Sequence, residues 1–310
     1  MGRSESGNRV RAGAPGPRPT ATAAIAAAVL LVLATGCSSS PSSITDDGRV
    51  EVGAKSDQPG TSFSPHDGEY NGFDITVVRE LLRTMGIDEP DFEGVLSKNR
   101  DVDLRSGDLE LVAATFSITA DRMKPEDEGG KDLDFAGPYA STHQGILVRA
   151  ADYGRYGNLS DLKGKQVCVW ESTTSADELK SEAYDGISVR TETDANYCVK
   201  ALREGEVDAV STDRLILFGF MAAEPGLKVV PGIKFGTPND YGIAMAKGHR
   251  KDCEKLRDAL KKYVTGNDWA RDFALNLPEV PKAERDEAQP TTADIEALSC
   301  RDKPANATAD

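Results

Sequence analysis

Residues 104–115, LRSGDLELVAAT, align without gaps onto residues 202–213, LREGEVDAVSTD. Each copy reads as a helix end closed by a glycine, Gly107 or Gly205, then a strand whose carboxyl end delivers a polar residue. In open α/β sheets solutes bind beyond the carboxyl ends of the strands, which puts Thr115 and Asp213 where a solute sits. Two copies predict two similar α/β lobes. A pocket between lobes is then the first place to look for a site.

The flanking sequence keeps the alternation of strand and helix. Strands are expected near residues 50–54, 167–170, 207–211 and 241–246. Val78, Leu81, Leu82 and Met85 recur at helical spacing and predict a helix over residues 73–85; Leu256, Leu260, Tyr263 and Val264 mark another. Further helices are expected over 175–184 and before Gly205. Residues 55–71 read as a polar loop, 124–133 as a surface insertion, and 279–310 as a polar tail held only at Cys300.

The chain has 310 residues, 39% hydrophobic and 28% charged, which excludes a multi-span membrane protein and a low-complexity chain. A formal net charge of -14 argues against a nucleic-acid partner, because polyanions are held mainly by Lys and Arg. The N-terminus carries Arg3, Arg9, Arg11 and Arg18 before an apolar run from Ala21 to Ala34, which is shorter than the roughly 20 residues a membrane span needs. Residues 1–36 therefore read as an export signal. The run Leu33-Ala34-Thr35-Gly36-Cys37 resembles a bacterial lipoprotein box, which implies a lipid anchor on Cys37 and a Ser-rich tether over residues 37–47. Four cysteines remain, Cys168, Cys198, Cys253 and Cys300, an even set in a compartment that permits disulfides. Three pairings are open, and Cys168 with Cys198 plus Cys253 with Cys300 is the sequence-local one. No CxxC occurs, and His66, His143 and His249 share no ligand spacing with the cysteines, so no metal or cofactor is expected.

Thr119 can cap a new helical turn with Arg122 inside it, beside the end of the first repeat strand. A guanidinium offers a carboxylate two parallel hydrogen bonds, which a lysine cannot reproduce. The run SKNRDVDLRSGDLELVAATFSIT at 97–119, Arg122 and DFAGPY at 134–139 together resemble a known family, the family 3 extracytoplasmic solute-binding proteins of polar amino-acid ABC transporters. VEVGAKSDQPG from Val50, GEYNGFDI from Gly68, DLKGKQVCVWESTTSA from Asp161 and YGIAMAKG from Tyr241 extend the resemblance, nearest to the glutamate-binding branch with an actinobacterial-type lipoprotein leader.

That resemblance implies a type II periplasmic-binding-protein fold, two α/β lobes joined by a two-crossing hinge. Lobe 1 is expected over residues 48–142 and 238–300, lobe 2 over 143–237, with a disordered tail at 301–310. It implies Arg122 as the clamp of a ligand α-carboxylate, with Ser117 beside it, Thr173 and Thr174 as further carboxylate contacts, and Asp213 as the partner of the α-ammonium. Lys55 or Arg100 is the cation for a side-chain carboxylate, and Trp170, where a smaller residue is usual, stacks on ligand carbons or packs on Cys168. The physics agrees: a zwitterion enclosed between lobes loses water from both charges and needs an opposite partner for each. The implied function is capture of a polar amino acid, glutamate first and aspartate or glutamine next, by a lipid-anchored monomer outside the cell, with delivery to a membrane permease. A ligand sensor for a membrane receptor or kinase is the alternative. An exported enzyme, with Glu171 or His143 as its acid or base, is a lesser one.

Overall fold

The structure, a computed structural model, describes residues 43–46 and 48–303. The expected signal, the lipidation residue Cys37 and the last seven residues lie outside the described residues. The chain opens with β1 (Glu51–Ala54), a small antiparallel sheet of β2 (Asp57–Gln58), β3 (Ser62–His66) and β4 (Glu69–Asn71), and α1 (Phe73–Arg83). Then come β5 (Asp91–Gly94), α2 (Arg100–Ser106), β6 (Leu111–Val112), the one-turn α3 (Ala120–Met123) and the long β7 (Leu133–Arg149). The middle of the chain supplies β8 (Gln166–Trp170), α4 (Thr174–Leu179), β9 (Ser188–Glu192), α5 (Ala195–Glu204), β10 (Ala209–Asp213) and α6 (Arg214–Ala223). Next are β11 (Leu227–Val229) and β12 (Phe235–Ala246), and α7 (Arg250–Thr265), α8 (Asp268–Asn276), α9 (Lys282–Ala288) and α10 (Thr292–Leu298) follow.

The main sheet has the order β5-β1-β6-β12-β7-β10-β8-β9, with β11 on β7. It reads the same from both edges. The pairs β5/β1 and β1/β6 are parallel, as are β9/β8 and β8/β10; β6/β12 and β10/β7 are antiparallel. At the centre β7 and β12 run antiparallel, with Asn239 opposite Thr142 and Asp240 opposite Ser141. The sequence repeat is the origin of this symmetry. Gly107 and Gly205 close α2 and α5 in the left-handed conformation, at φ 81° and 78°. Strands β6 and β10 then begin at aligned positions, Leu111 and Ala209. Separate cores back the two halves: Val95, Leu104, Phe116 and Phe135 under β6, and Val167, Val169, Leu179 and Ala209 under β10.

Three stretches differ most from the sequence reading, and two elements shift their bounds. Residues 55–71 form β2 to β4 rather than a loop, and Lys55 and Asp57 within them are buried. Short strands with polar faces leave no alternating apolar signature to read. The second difference is the end of the tether, where Ser43 Oγ and the Ile44 N–H donate to Asp252 in the first turn of α7, at 2.7 and 3.1 Å. The last is the supposed polar tail, which is a two-helix strap. Val280, Ala288 and Ile295 are buried, and Arg214 Nε and Nη2 donate to Glu284 at 2.7 and 2.6 Å. So few apolar residues could not announce two helices, although Thr291 and Asp294 form a capping box at the start of α10. Residues 175–184 also split into α4 and a separate turn at Glu182–Tyr184, and the strand expected at 207–211 runs two residues later.

The disulfides are Cys168–Cys198, between β8 and α5, and Cys253–Cys300, between α7 and the end of the strap. Replacing Cys253 and Cys300 together by alanine should lower the unfolding free energy by about 3 to 4 kcal/mol in urea titration. It should also expose residues 280–300 to trypsin; unchanged stability with an uncut strap contradicts this.

Candidate ligand-binding site

The carboxyl ends of β6 and β10 face one hollow of about 20 Å³. Gln58, Ser97, Arg100, Thr115, Ser117 and Arg122 line it from the β6 half; Trp170, Thr173, Thr174, Ser175, Thr212, Asp213 and Ile216 line it from the β10 half. That volume holds about one water, so no amino acid enters unless the halves part.

Arg100 opens α2 and is buried. Its Nε donates to Ser97 O at 3.0 Å, Nη1 to Ala114 O at 3.1 Å, and Nη2 to Ser172 O, from the opposite half, at 3.0 Å. Thr119 caps α3 by accepting the Arg122 N–H, and the Arg122 Nη1 donates to Ser117 O at 2.6 Å. Both guanidiniums lie over the Phe116 ring, 4.1 and 4.4 Å from its centre. Every hydrogen-bond partner they have among the described residues is a main-chain carbonyl. Burial, and after it the like charge of Arg122, push Arg100 well below its ordinary value; burial lowers Arg122 to about 10. Two cations thus stand at the hollow without a contacting carboxylate.

Asp213, at the end of β10, is the counter-charge. Its Oδ1 accepts from Gln144 Nε2 at 2.9 Å and Asn239 Nδ2 at 2.7 Å, and its Oδ2 accepts from the Tyr241 hydroxyl at 2.7 Å. All three donors belong to the central strands β7 and β12. Burial raises the carboxyl to about 6 against the pull of these donors.

Thr115 takes the left-handed backbone, φ 46°, which costs a non-glycine residue about 1 to 2 kcal/mol. Its N–H donates to the buried Asp74 of α1 at 2.8 Å, and its hydroxyl to Gln58 Oε1 at 3.0 Å. Across the hollow Thr173 caps α4 and donates to Trp170 O at 2.7 Å, while the Ser117 and Thr174 hydroxyls meet at 3.5 Å. Trp170 is buried and lines the hollow as well as the core.

Lys55 is placed otherwise than the sequence reading expected. It is absent from the lining, pairs with Asp57 at 3.5 Å and donates to Val95 O at 3.3 Å. Its charge is therefore already met, although burial still lowers its ammonium more than Asp57 raises it. Glu171 pairs with Lys98 at 2.9 Å, and His143 lines a separate groove with Lys234 and Glu287; neither lines the hollow. Sequence reasoning missed Gln58, Asp74, Gln144, Asn239 and Tyr241. Gln58, Asp74 and Tyr241 lie inside motifs that carry the family resemblance, but nothing in a single sequence says that they meet Thr115 and Asp213.

A polar hollow between the strand ends of a two-lobed α/β body defines the type II periplasmic-binding-protein class. The chain belongs to the bacterial extracellular solute-binding proteins, family 3, which match residues 50–271. It is 31% identical over 264 residues to the glutamate-binding protein GluB of Corynebacterium glutamicum, covering 80% of this chain and 86% of the relative. It is 30% identical over 244 residues to the ABC transporter glutamine-binding protein GlnH of Bacillus subtilis, covering 77% and 84%. Among solved structures, an ancestral arginine-binding protein bound to glutamine superposes with a TM-score of 0.64 at 28% identity, covering 74% of this chain and 97% of that one.

The Asp213 carboxyl makes a signed pH prediction. Because its folded value of about 6 lies above its ordinary 3.8, protonated Asp213 stabilises the ligand-free fold at about pH 4 and below, and the contribution is lost as pH rises through about 6. The stability difference between the natural chain and Asp213→Asn, read from urea melts across that window, should shift against the natural chain as pH rises. A difference independent of pH contradicts the assignment.

Proposed function

We propose that this protein captures an acidic amino acid outside the cell, glutamate foremost, and hands it to the permease of an ABC transporter when its lobes close. The observation that carries this reading is the pair of guanidiniums, Arg100 and Arg122, facing the carboxylate of Asp213 in one hollow, with only main-chain carbonyls as their own partners among the described residues. Glutamate brings two carboxylates and one ammonium. On this reading Arg122, with Ser117 and Thr174 beside it, takes the α-carboxylate, Asp213 the ammonium, and Arg100 the side-chain carboxylate. Glutamine leaves the charge of Arg100 unmatched in a hollow with room for only about one water. Lys55 supports the hollow from behind through Asp57, which also accepts the Ala195 N–H at 2.9 Å. The glutamate- and glutamine-binding relatives favour the same ligand class.

The proposed lobes are residues 48–142 with 238–300 and residues 143–237. Arg100 and Arg122 then belong to one lobe and Asp213 to the other, so a ligand that touches all three shifts the population toward closure. The protein acts as a binder and not as an enzyme, a reading supported by the placement of Glu171 and His143 outside the hollow. A lipid on Cys37 keeps it at the outer face of the membrane; among the described residues no helix is long and apolar enough to cross one.

A thermal-shift panel of amino acids tests this directly. Glutamate at about 100 times its dissociation constant should stabilise the protein by about 2.7 kcal/mol. A chain that no amino acid stabilises rejects the proposal. Arg100→Met should weaken glutamate more than glutamine by about tenfold or more in calorimetric titration, the worth of one charge-assisted hydrogen bond. Lys55→Met should affect both alike.

A further inference from the structure

Asp74 is the second residue of α1, 1% exposed, and its Oδ2 accepts the Thr115 N–H at 2.8 Å. The other end of that same peptide unit, the Ala114 carbonyl, accepts Arg100 Nη1 at 3.1 Å. A peptide unit is planar, so its N–H and C=O turn together. Asp74 and Arg100 thus grip opposite ends of one rigid plate. The plate is held away from its preferred setting, since Thr115 has φ 46° and its relaxation would rotate this unit about the N–Cα bond. Of the other Arg100 anchors, Ser97 O lies in the same lobe but Ser172 O lies in the opposite one and is withdrawn when the lobes part. In the open state the Ala114 carbonyl therefore carries much of the aim of Arg100. If packing alone mattered, an apolar side chain would be cheaper to bury at position 74 than a carboxyl, whose burial pushes it up to about 7.

We propose that Asp74 is a positioning residue which aims the Arg100 guanidinium through the Ala114–Thr115 peptide unit and so sharpens the choice of a side-chain carboxylate over an amide. This rests on the functional reading above. The test is calorimetric titration of the full purified chain with L-glutamate and L-glutamine, beginning with the unmodified protein. No preference for glutamate there overturns the functional reading and this inference with it. Given that preference, Asp74→Ala should lower the glutamate-to-glutamine affinity ratio by about tenfold, the worth of a hydrogen bond to a charged group. Asp74→Asn, which keeps an oxygen for the Thr115 N–H but not the charge, should lower it by about two- to fivefold when the titrations are run at about pH 8, where the natural carboxyl is mostly ionised. A merely structural role lowers both affinities together and leaves the ratio unmoved. An unmoved ratio, in whichever variant folds, overturns the inference while leaving the functional reading intact.

Discussion

Two positive charges held over one aromatic ring, Arg100 buried and Arg122 half-buried, with no carboxylate in contact among the described residues, are the constraint around which this molecule is arranged. Arg100 even stands at the start of α2, where the helix dipole disfavours a cation, although Asp101 and Asp103 in the same turn offset part of that. The aromatic face of Phe116 beneath both guanidiniums returns about 0.5 to 2 kcal/mol for each. Main-chain carbonyls supply the rest. On the proposed reading this unmet charge is the source of selectivity, because a ligand gains in proportion to what the protein lacks.

The same logic explains why the counter-charge is fastened to the middle of the sheet. Gln144 lies on β7, and Asn239 and Tyr241 on β12, the two strands that pass between the lobes. A group that accepts bonds from both crossings has its position fixed relative to the axis about which the lobes move. Other ties also cross the cleft: Lys98 with Glu171, Asp57 with the Ala195 N–H, Arg100 with Ser172 O. The exposed Lys98–Glu171 pair contributes about 0 to 1 kcal/mol, so it does not by itself hold the two halves together.

How much of this was legible depended on the range of the signal. The repeat around Gly107 and Gly205 carried the doubled architecture, since a glycine cap and the strand after it are local events. The palindromic strand order was invisible because β7 and β12 pair residues that are distant in the chain. Arg122 and Asp213 could be placed from the strand ends. Lys55 misled because its partner Asp57, two residues on, gives no sign in sequence of turning inward with it. Arg100 could be named as a cation near the site, but its carbonyl partners come from three separate segments. The strap escaped because Val280, Ala288 and Ile295 are too sparse to form a periodic face.

The strap has one more implication. The family resemblance ends at residue 271, whereas the Glu284 carboxylate that clasps Arg214, the neighbour of Asp213, lies beyond it. Its far end is riveted by Cys300 to α7 in the first lobe, and Asp302 is clasped by Lys247 and Arg250. The strap therefore adds a third ligament to the two-strand hinge, seated beside the pivot where its leverage is short. The solute-facing residues sit inside the stretch that defines the family, while the brace across the pivot draws on residues beyond it.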